Sequence, residues 1–345
     1  MTKKTAFIIL SFLFSFIISS WGQDSSLYLI GFYNVENLFH PQCDTVNRDK
    51  SFTPGGSHKW TYKRYFTKIN RIAKVILAMG KSSPPDLMGL AEIESKEVLY
   101  DLCYRSPLKK YQYRFVHYDS PDHRGIEVAL LYRPDRLTVL HEEVIPVTFP
   151  FDPDSRNRDI LLVSALFPNG DTLFLFINHW TSRYGGLAAT LPKRNYYAQT
   201  LREKTDSLFA VHPSFSIFIM GDFNDYPEDE SLKEILRANP LHGSIETKRL
   251  YNLMSTIPDF RNQGTHKYED FWGCLDQIIV SGNLLKKGSS LKVRNQEAVI
   301  FSENFMLEND RKYGGDKPFR TYLGPRYIGG YSDHLPVMVY LMTVQ

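Results

Sequence analysis

Ser216-Ile217-Phe218-Ile219-Met220 runs straight into Gly221-Asp222-Phe223-Asn224-Asp225. A short apolar run bounded by turn residues fits a strand buried on both faces. The polar corner is then delivered at the tip of that strand, where Asp222 and Asn224 occupy alternate positions and can point the same way. The same junction recurs along the chain. Asn34-Val35-Glu36 follows the apolar stretch from Leu27 to Tyr33, Glu92 closes Leu87-Met88-Gly89-Leu90-Ala91, and Asn178-His179 ends the stretch that starts at Thr172. Asp276 opens Gln277-Ile278-Ile279-Val280, and Ser332-Asp333-His334 opens the final run from Leu335 to Tyr340. Taken singly, each of these reads as well as a strand or turn cap. Taken together they read as one site, built by a rigid sheet scaffold from distant segments.

Between the tips, Phe66, Ile69, Ile72, Ala73, Ile76 and Leu77 recur at helical spacing, and Gly80 ends that helix ahead of Pro84-Pro85. Residues 114–117 and 127–133 read as strands. Residues 160–167 and 172–178 read as a hairpin across Asn169-Gly170. A second helix is expected over about 194–209 and a short one over 231–237. Strands separated by helices, with hairpins mixed in, predict a mixed-sheet α/β protein. Residues 302–331 read as irregular, with Gly314-Gly315, Pro318, Gly324-Pro325 and Gly329-Gly330. A segment of that length inside a domain suggests a lid or binding loop. Its Phe319, Arg320, Tyr322, Tyr327 and Tyr331 lead directly into the closing motif.

Lys3 and Lys4 precede an apolar run from Ala6 to Ile18, and Ser20-Trp21-Gly22 offers a cleavage site, so residues 1–22 read as a secretory signal peptide. Export to the periplasm or exterior follows, with residues 23–345 as one catalytic domain. No later run is long and apolar enough for a membrane span. The net charge of +3 falls to near +1 once Lys3 and Lys4 leave, which is no nucleic-acid-binding excess, so phosphate attraction has to be local. Cys43, Cys103 and Cys274 form neither a zinc motif nor a disulfide framework, although one pair could bridge. Residues 58–74 interleave Lys59, Lys63, Arg64, Lys68, Arg71 and Lys74 with Trp60, Tyr62, Tyr65 and Phe66 and hold no acid. That suits either a phosphate backbone or a solvated helix face.

The tip residues suit phosphoester hydrolysis. Glu92, with Asn34 beside it and Asp333 as a further donor, offers hard oxygen ligands for Mg²⁺. Asp222 can orient and deprotonate water, and Asn224 can donate to a phosphate oxygen. His334 needs a partner to fix its tautomer, and Asp276 is the natural one. His179 can contact phosphate or protonate the leaving group. In this order and separation, the Gly-Asp-Phe-Asn and Ser-Asp-His motifs resemble the endonuclease/exonuclease/phosphatase superfamily, the DNase I-like fold, over about residues 27–343. The resemblance implies a four-layer αββα sandwich of two mixed β-sheets, a Mg²⁺ or Mn²⁺ cofactor and in-line attack by water. It assigns metal or phosphate contact to Asn34, metal coordination to Glu92 and Asp333, and catalysis to His179, Asp222, Asn224, Asp276 and His334. Glu127 is a candidate to orient His179, and Arg124 and Arg183 are substrate-phosphate candidates by charge. The expected substrate is a phosphodiester, nucleic acid first, with a small or lipid phosphoester as the alternative and an inactive binding protein as the third. No protein partner is implied.

Overall fold

The computed structural model describes residues 26–42, 49–257 and 263–344. The expected export signal and Cys43 lie outside them. In chain order the first part gives β1 (Ser26–Leu38), α1 (Tyr62–Met79), β2 (Leu87–Ile93), α2 (Lys96–Tyr100), β3 (Arg114–His117), β4 (Glu127–Tyr132), β5 (Thr138–Ile145), β6 (Ile160–Leu166), β7 (Thr172–His179), α3 (Leu187–Val211) and β8 (Ser216–Asp222). The rest is strand-rich: β9 (Ala238–Pro240), β10 (Leu250–Asn252), β11 (His266–Tyr268), β12 (Phe271–Gly273), β13 (Asp276–Ser281), β14 (Leu291–Val293), β15 (Val299–Ile300), β16 (Leu307–Asn309), β17 (Asp316–Pro318), β18 (Tyr322–Leu323), β19 (Arg326–Tyr327) and β20 (Val337–Thr343).

Two mixed sheets result. One runs β14-β20-β1-β2-β4-β3 with β15 beside β20, and the other runs β5-β6-β7-β8-β13-β10-β9. Their inner faces meet, with β1 and β2 against β8, β4 against β7, and β20 against β13. Period-two alternation sorts the side chains of the second sheet. Leu161, Val163, Leu175, Ile177, Phe218 and Met220 join the core between the sheets. Ile160, Leu162, Phe176, Ile217 and Ile219 face outward into a second core under α3, with Tyr197 and Leu201. This is why β8 reads as a continuous apolar run. Helix α1, capped by the Thr61 side chain on Arg64 N, buries Ile69, Ile72 and Ile76 in the main core, on the first sheet's side.

Several expectations change. Helix α3 starts at Leu187, ahead of the expected Arg194, and carries Pro192 within it. Strand β5 was not foreseen, because its mostly exposed or half-buried residues at the sheet edge hide the apolar signal. The stretch 302–331 is not structureless: β16 pairs with β17 and β18 with β19 as two short antiparallel hairpins. Cys103 and Cys274 are both free and buried.

Candidate active site

Strand register assembles the centre. Antiparallel pairing of β13 with β8 sets Asp276 opposite Asp222, and parallel pairing of β7 with β8 sets His179 beside Asp222. The closing motif is tied to β1, since Ser332 Oγ donates to Asn34 O at 2.7 Å and accepts from His334 N at 3.1 Å. His334 Nδ1 and Asp276 Oδ2 then lie 2.7 Å apart. The imidazole Nε2 atoms of His334 and His179 each stand 3.8 Å from Asp222 Oδ2. Thr265, which sequence did not single out, anchors this group. Its Oγ1 accepts from Leu275 N and Asp276 N, both at 3.1 Å, and its carbonyl accepts from Leu335 N at 2.7 Å.

The electrostatics separate these groups. Burial lifts the Asp222 pKa to about 6, against the lowering effect of His334 and of the Asn34 hydrogen bond. Burial pulls His334 down, but Asp276 and Asp222 outweigh it and hold the imidazolium well above its ordinary range. His179 has no carboxylate bonded to it. Burial, then Arg158 and Arg124, keep it well below the ordinary value and neutral. Asp222 is thus a base poised near neutrality, His334 is a cationic donor, and His179 is a neutral donor poorly suited to protonating a leaving group.

The corners that carry the polar residues are strained. Glu36, Asn37, Glu92 and Asn224 all have φ between 52° and 65°, a left-handed conformation costing on the order of 1 kcal/mol for a residue with a Cβ. Such strain concentrates at functional sites. Asn34 is engaged at both ends of its amide. Its Nδ2 donates to Asp222 Oδ2 and its Oδ1 accepts from Glu36 N, both at 3.0 Å, which makes it a clamp on Asp222. Asn224 N donates to Asp222 Oδ1 at 3.0 Å and its Nδ2 to Trp180 O at 3.1 Å.

Glu92 Oε2 accepts from Asn37 N at 2.6 Å. Lys68 and Arg320 are each acted on by the charges of Glu36, Asp333 and Glu92, so the three carboxylates converge on one region. Burial would raise the Asp333 carboxyl, yet Arg320, His334 and His266 hold it down at about 2. The side-chain oxygens of Glu92 and Asp333 are donors of the kind a hard divalent ion prefers. Two tighter groupings, His266 with Asp333 and His334, and Asp222 with Asp276 and His334, also place donor atoms within 4.8 Å of one another. The second is the hydrogen-bonded base and imidazolium pair, and a protonated His334 is no metal ligand.

Glu92, Asn224, Asp222, His179 and His334 line one cleft of about 800 Å³. Arg124 lines it too, bonded to Asn37 Oδ1. Asp333 opens instead on a neighbouring hollow of about 460 Å³ beside Arg320. Arg183 is not among the residues lining the cleft: its guanidinium donates to Asn224 O at 2.7 Å, to Asp225 Oδ1 at 3.1 Å and to Asp229 Oδ2 at 2.5 Å. It braces the Asp222 corner. Glu127, pushed up to about 7 by burial, does not hold His179, whose Nδ1 has no hydrogen-bond partner among the described residues.

Three cations of α1 meet aromatic rings of the segment 305–331. Arg64 lies 4.4 Å over the Tyr327 ring, Arg71 lies 5.4 Å over Tyr331, and Lys74 lies 3.9 Å over Phe305. Lys68 is buried against Glu36 at 3.5 Å. Besides Thr265, four contributors carry no site signal of their own in the sequence. Glu36 was seen as part of a motif and Arg320 as part of a loop, but His266 and the buried Arg158, which donates to His179 O and Trp180 O at 2.9 Å, leave no local signature.

A model of the endonuclease/exonuclease/phosphatase family matches residues 29–343. Among solved structures, the chain is similar to a humanized D. rerio TDP2 at 14% identity, covering 91% of this chain and 98% of that one with a TM-score of 0.54. It is similar to an endonuclease/exonuclease/phosphatase family protein from Bacteroides thetaiotaomicron at 15% identity, covering 93% and 97% with a TM-score of 0.55. The human Nocturnin catalytic domain gives 13% identity, 94% and 98% coverage and a TM-score of 0.55. At such identities the likeness is one of fold. No curated protein sequence matches the chain.

Proposed function

Since the chain belongs to the endonuclease/exonuclease/phosphatase family, whose members hydrolyse phosphoester bonds, we propose that it is a divalent-metal-dependent phosphodiesterase acting on nucleic acid. One observation carries this: Glu92, Asp222, Asn224, His179 and His334 face a single cleft, with a base, a cationic donor and a hard-ion ligand on its walls. Glu92 and Asp333 would hold the ion, which supplies charge neutralisation at the phosphate when bound. Asp222, clamped by Asn34, orients the attacking water and takes its proton. The His334 imidazolium, held by Asp276, donates to a phosphate oxygen, and neutral His179 donates from the adjacent strand.

The cleft also bears on the substrate. Among the described residues lining it there is no Ala, Val, Leu, Ile, Met or Phe side chain, while Arg124, Arg158 and Lys193 line it with positive charge, which suits a polyanionic substrate. This favours nucleic acid over a phospholipid. TDP2 of D. rerio has been crystallised with a single-strand DNA product, which supports the same choice. We further propose one catalytic unit over residues 23–345, exported after removal of residues 1–22. A mature chain retaining its first residues would contradict the export.

The test is incubation of the purified protein with plasmid, single-stranded DNA and a phosphoester panel, with Mg²⁺ or chelator. DNA cleavage abolished by chelator is expected. Asp222→Ala and His334→Ala are each expected to lose at least about 100-fold in turnover with an unchanged circular dichroism spectrum. Wild-type-like turnover by either variant would refute the assigned roles, and head-group release from a phospholipid without DNA cleavage would move the substrate to lipid.

A further inference from the structure

Arg320 sits where the chain has gathered its carboxylates. Its Nη2 donates to Asp333 Oδ2 at 2.9 Å and its Nε to Glu36 Oε1 at 3.4 Å. The backbone around it is held with equal care. Thr321 N donates to Glu36 Oε2 at 2.6 Å, and Lys68 Nζ donates to Thr321 Oγ1 at 2.5 Å. Gly330 N donates to Arg320 O at 2.9 Å, and a Cβ on Gly330 would collide with the carbonyls of Phe319 and Arg320. Arg71 Nη1 donates to Gly330 O at 3.2 Å from the other side. A half-exposed arginine is thus fixed at both backbone and guanidinium against Asp333, an ion-binding candidate.

We propose that Arg320 is a positioning residue for the ion-binding carboxylates: its planar fork orients Asp333, and its charge weakens the site's hold on a divalent cation. The proposal rests on the metal-dependent reading above. A divalent ion held by Asp333 would share that carboxylate with the guanidinium already bonded to it. Two cations drawn to one carboxylate repel by an amount worth at least about 10-fold in affinity. Without Arg320, Lys68 and the His334 imidazolium would remain to offset Glu36, Glu92 and Asp333. Lysine at position 320 would keep the charge but, as a single-point donor, would lose the bridge between two carboxylates.

Mn²⁺ affinity of the full purified chain, read by electron paramagnetic resonance, and oligonucleotide turnover at saturating Mn²⁺ test this. Arg320→Gln is expected to bind Mn²⁺ at least about 10-fold more tightly. Arg320→Lys is expected to stay within about 3-fold in affinity and to lose about 10-fold in turnover. Arg320→Gln that binds no more tightly, or Arg320→Lys that turns over like wild type, overturns the proposal. So does a lowered melting temperature in both variants with affinity unmoved, which marks a merely structural arginine. If Arg320→Gln does not fold, the Arg320→Lys turnover decides alone. Wild-type protein that binds no Mn²⁺ refutes the metal-dependent reading itself, whereas unaltered affinity in Arg320→Gln refutes only the role of Arg320.

Discussion

Asp222 takes its reactivity from burial and its orientation from Asn34. Burial raises its pKa to about 6, so it is ionised and competent as a base above that pH. His334 is protonated up to a point well above its ordinary range. Turnover is therefore expected to rise through about pH 6 and to fall only at alkaline pH, a bell belonging to the coupled pair. The Asn34 hydrogen bond lowers the Asp222 pKa, so Asn34→Ala is expected to move the acid limb to higher pH in a kcat/KM profile. An unmoved limb would mean that Asp222 is not the base. The linkage to stability has one sign for both groups. Each folded pKa lies above its unfolded value, so the stability each contributes is present at low pH and is lost as pH rises through the folded pKa.

At the scale of elements, α1 and the segment from Phe305 to Tyr331 form one unit. Six cations between residues 58 and 74 look like a nucleic-acid patch in the sequence, because the aromatic partners lie some 250 residues away. Arg64, Arg71 and Lys74 meet Tyr327, Tyr331 and Phe305 instead, and Lys68 is driven into the interior to meet Glu36. Removing Lys68 leaves the buried Glu36 with Arg320 as its remaining charge partner, at 3.4 Å. Lys68→Met is expected to cost on the order of 3 kcal/mol of unfolding free energy, seen as a lower urea midpoint. A loss below about 0.5 kcal/mol would place Lys68 among solvated surface lysines instead. The two hairpins of this segment were illegible for a related reason. Strands of two or three residues have too few positions for a period to show, and their pairing is decided by the glycines and prolines that made the stretch look irregular.

Across the whole molecule, the sheets act as a rigid frame that sets the site at one rim. Phe218 lies in the inter-sheet core, four residues before Asp222 on the same strand. Phe218→Ala is expected to destabilise the fold by about 3–5 kcal/mol, while Mn²⁺ affinity at low temperature stays within about 3-fold. A large loss of affinity in the folded variant would show the frame to be softer than its packing implies. The residue types at the strand tips, the β8 and β20 runs and the amphipathic α1 could be read directly, because period-two and 3.6-residue patterns are local properties of the chain. Sequence also named most of the residues that meet, through motifs whose order and separation carry meaning. It could not say that Asn34 clamps Asp222, that Arg183 braces Asp225, or that Arg320 reaches Asp333. Those contacts arise only when β13 pairs with β8 and β20 with β1 in a given register. Register is fixed by how two buried faces fill one core, and no single segment carries that information.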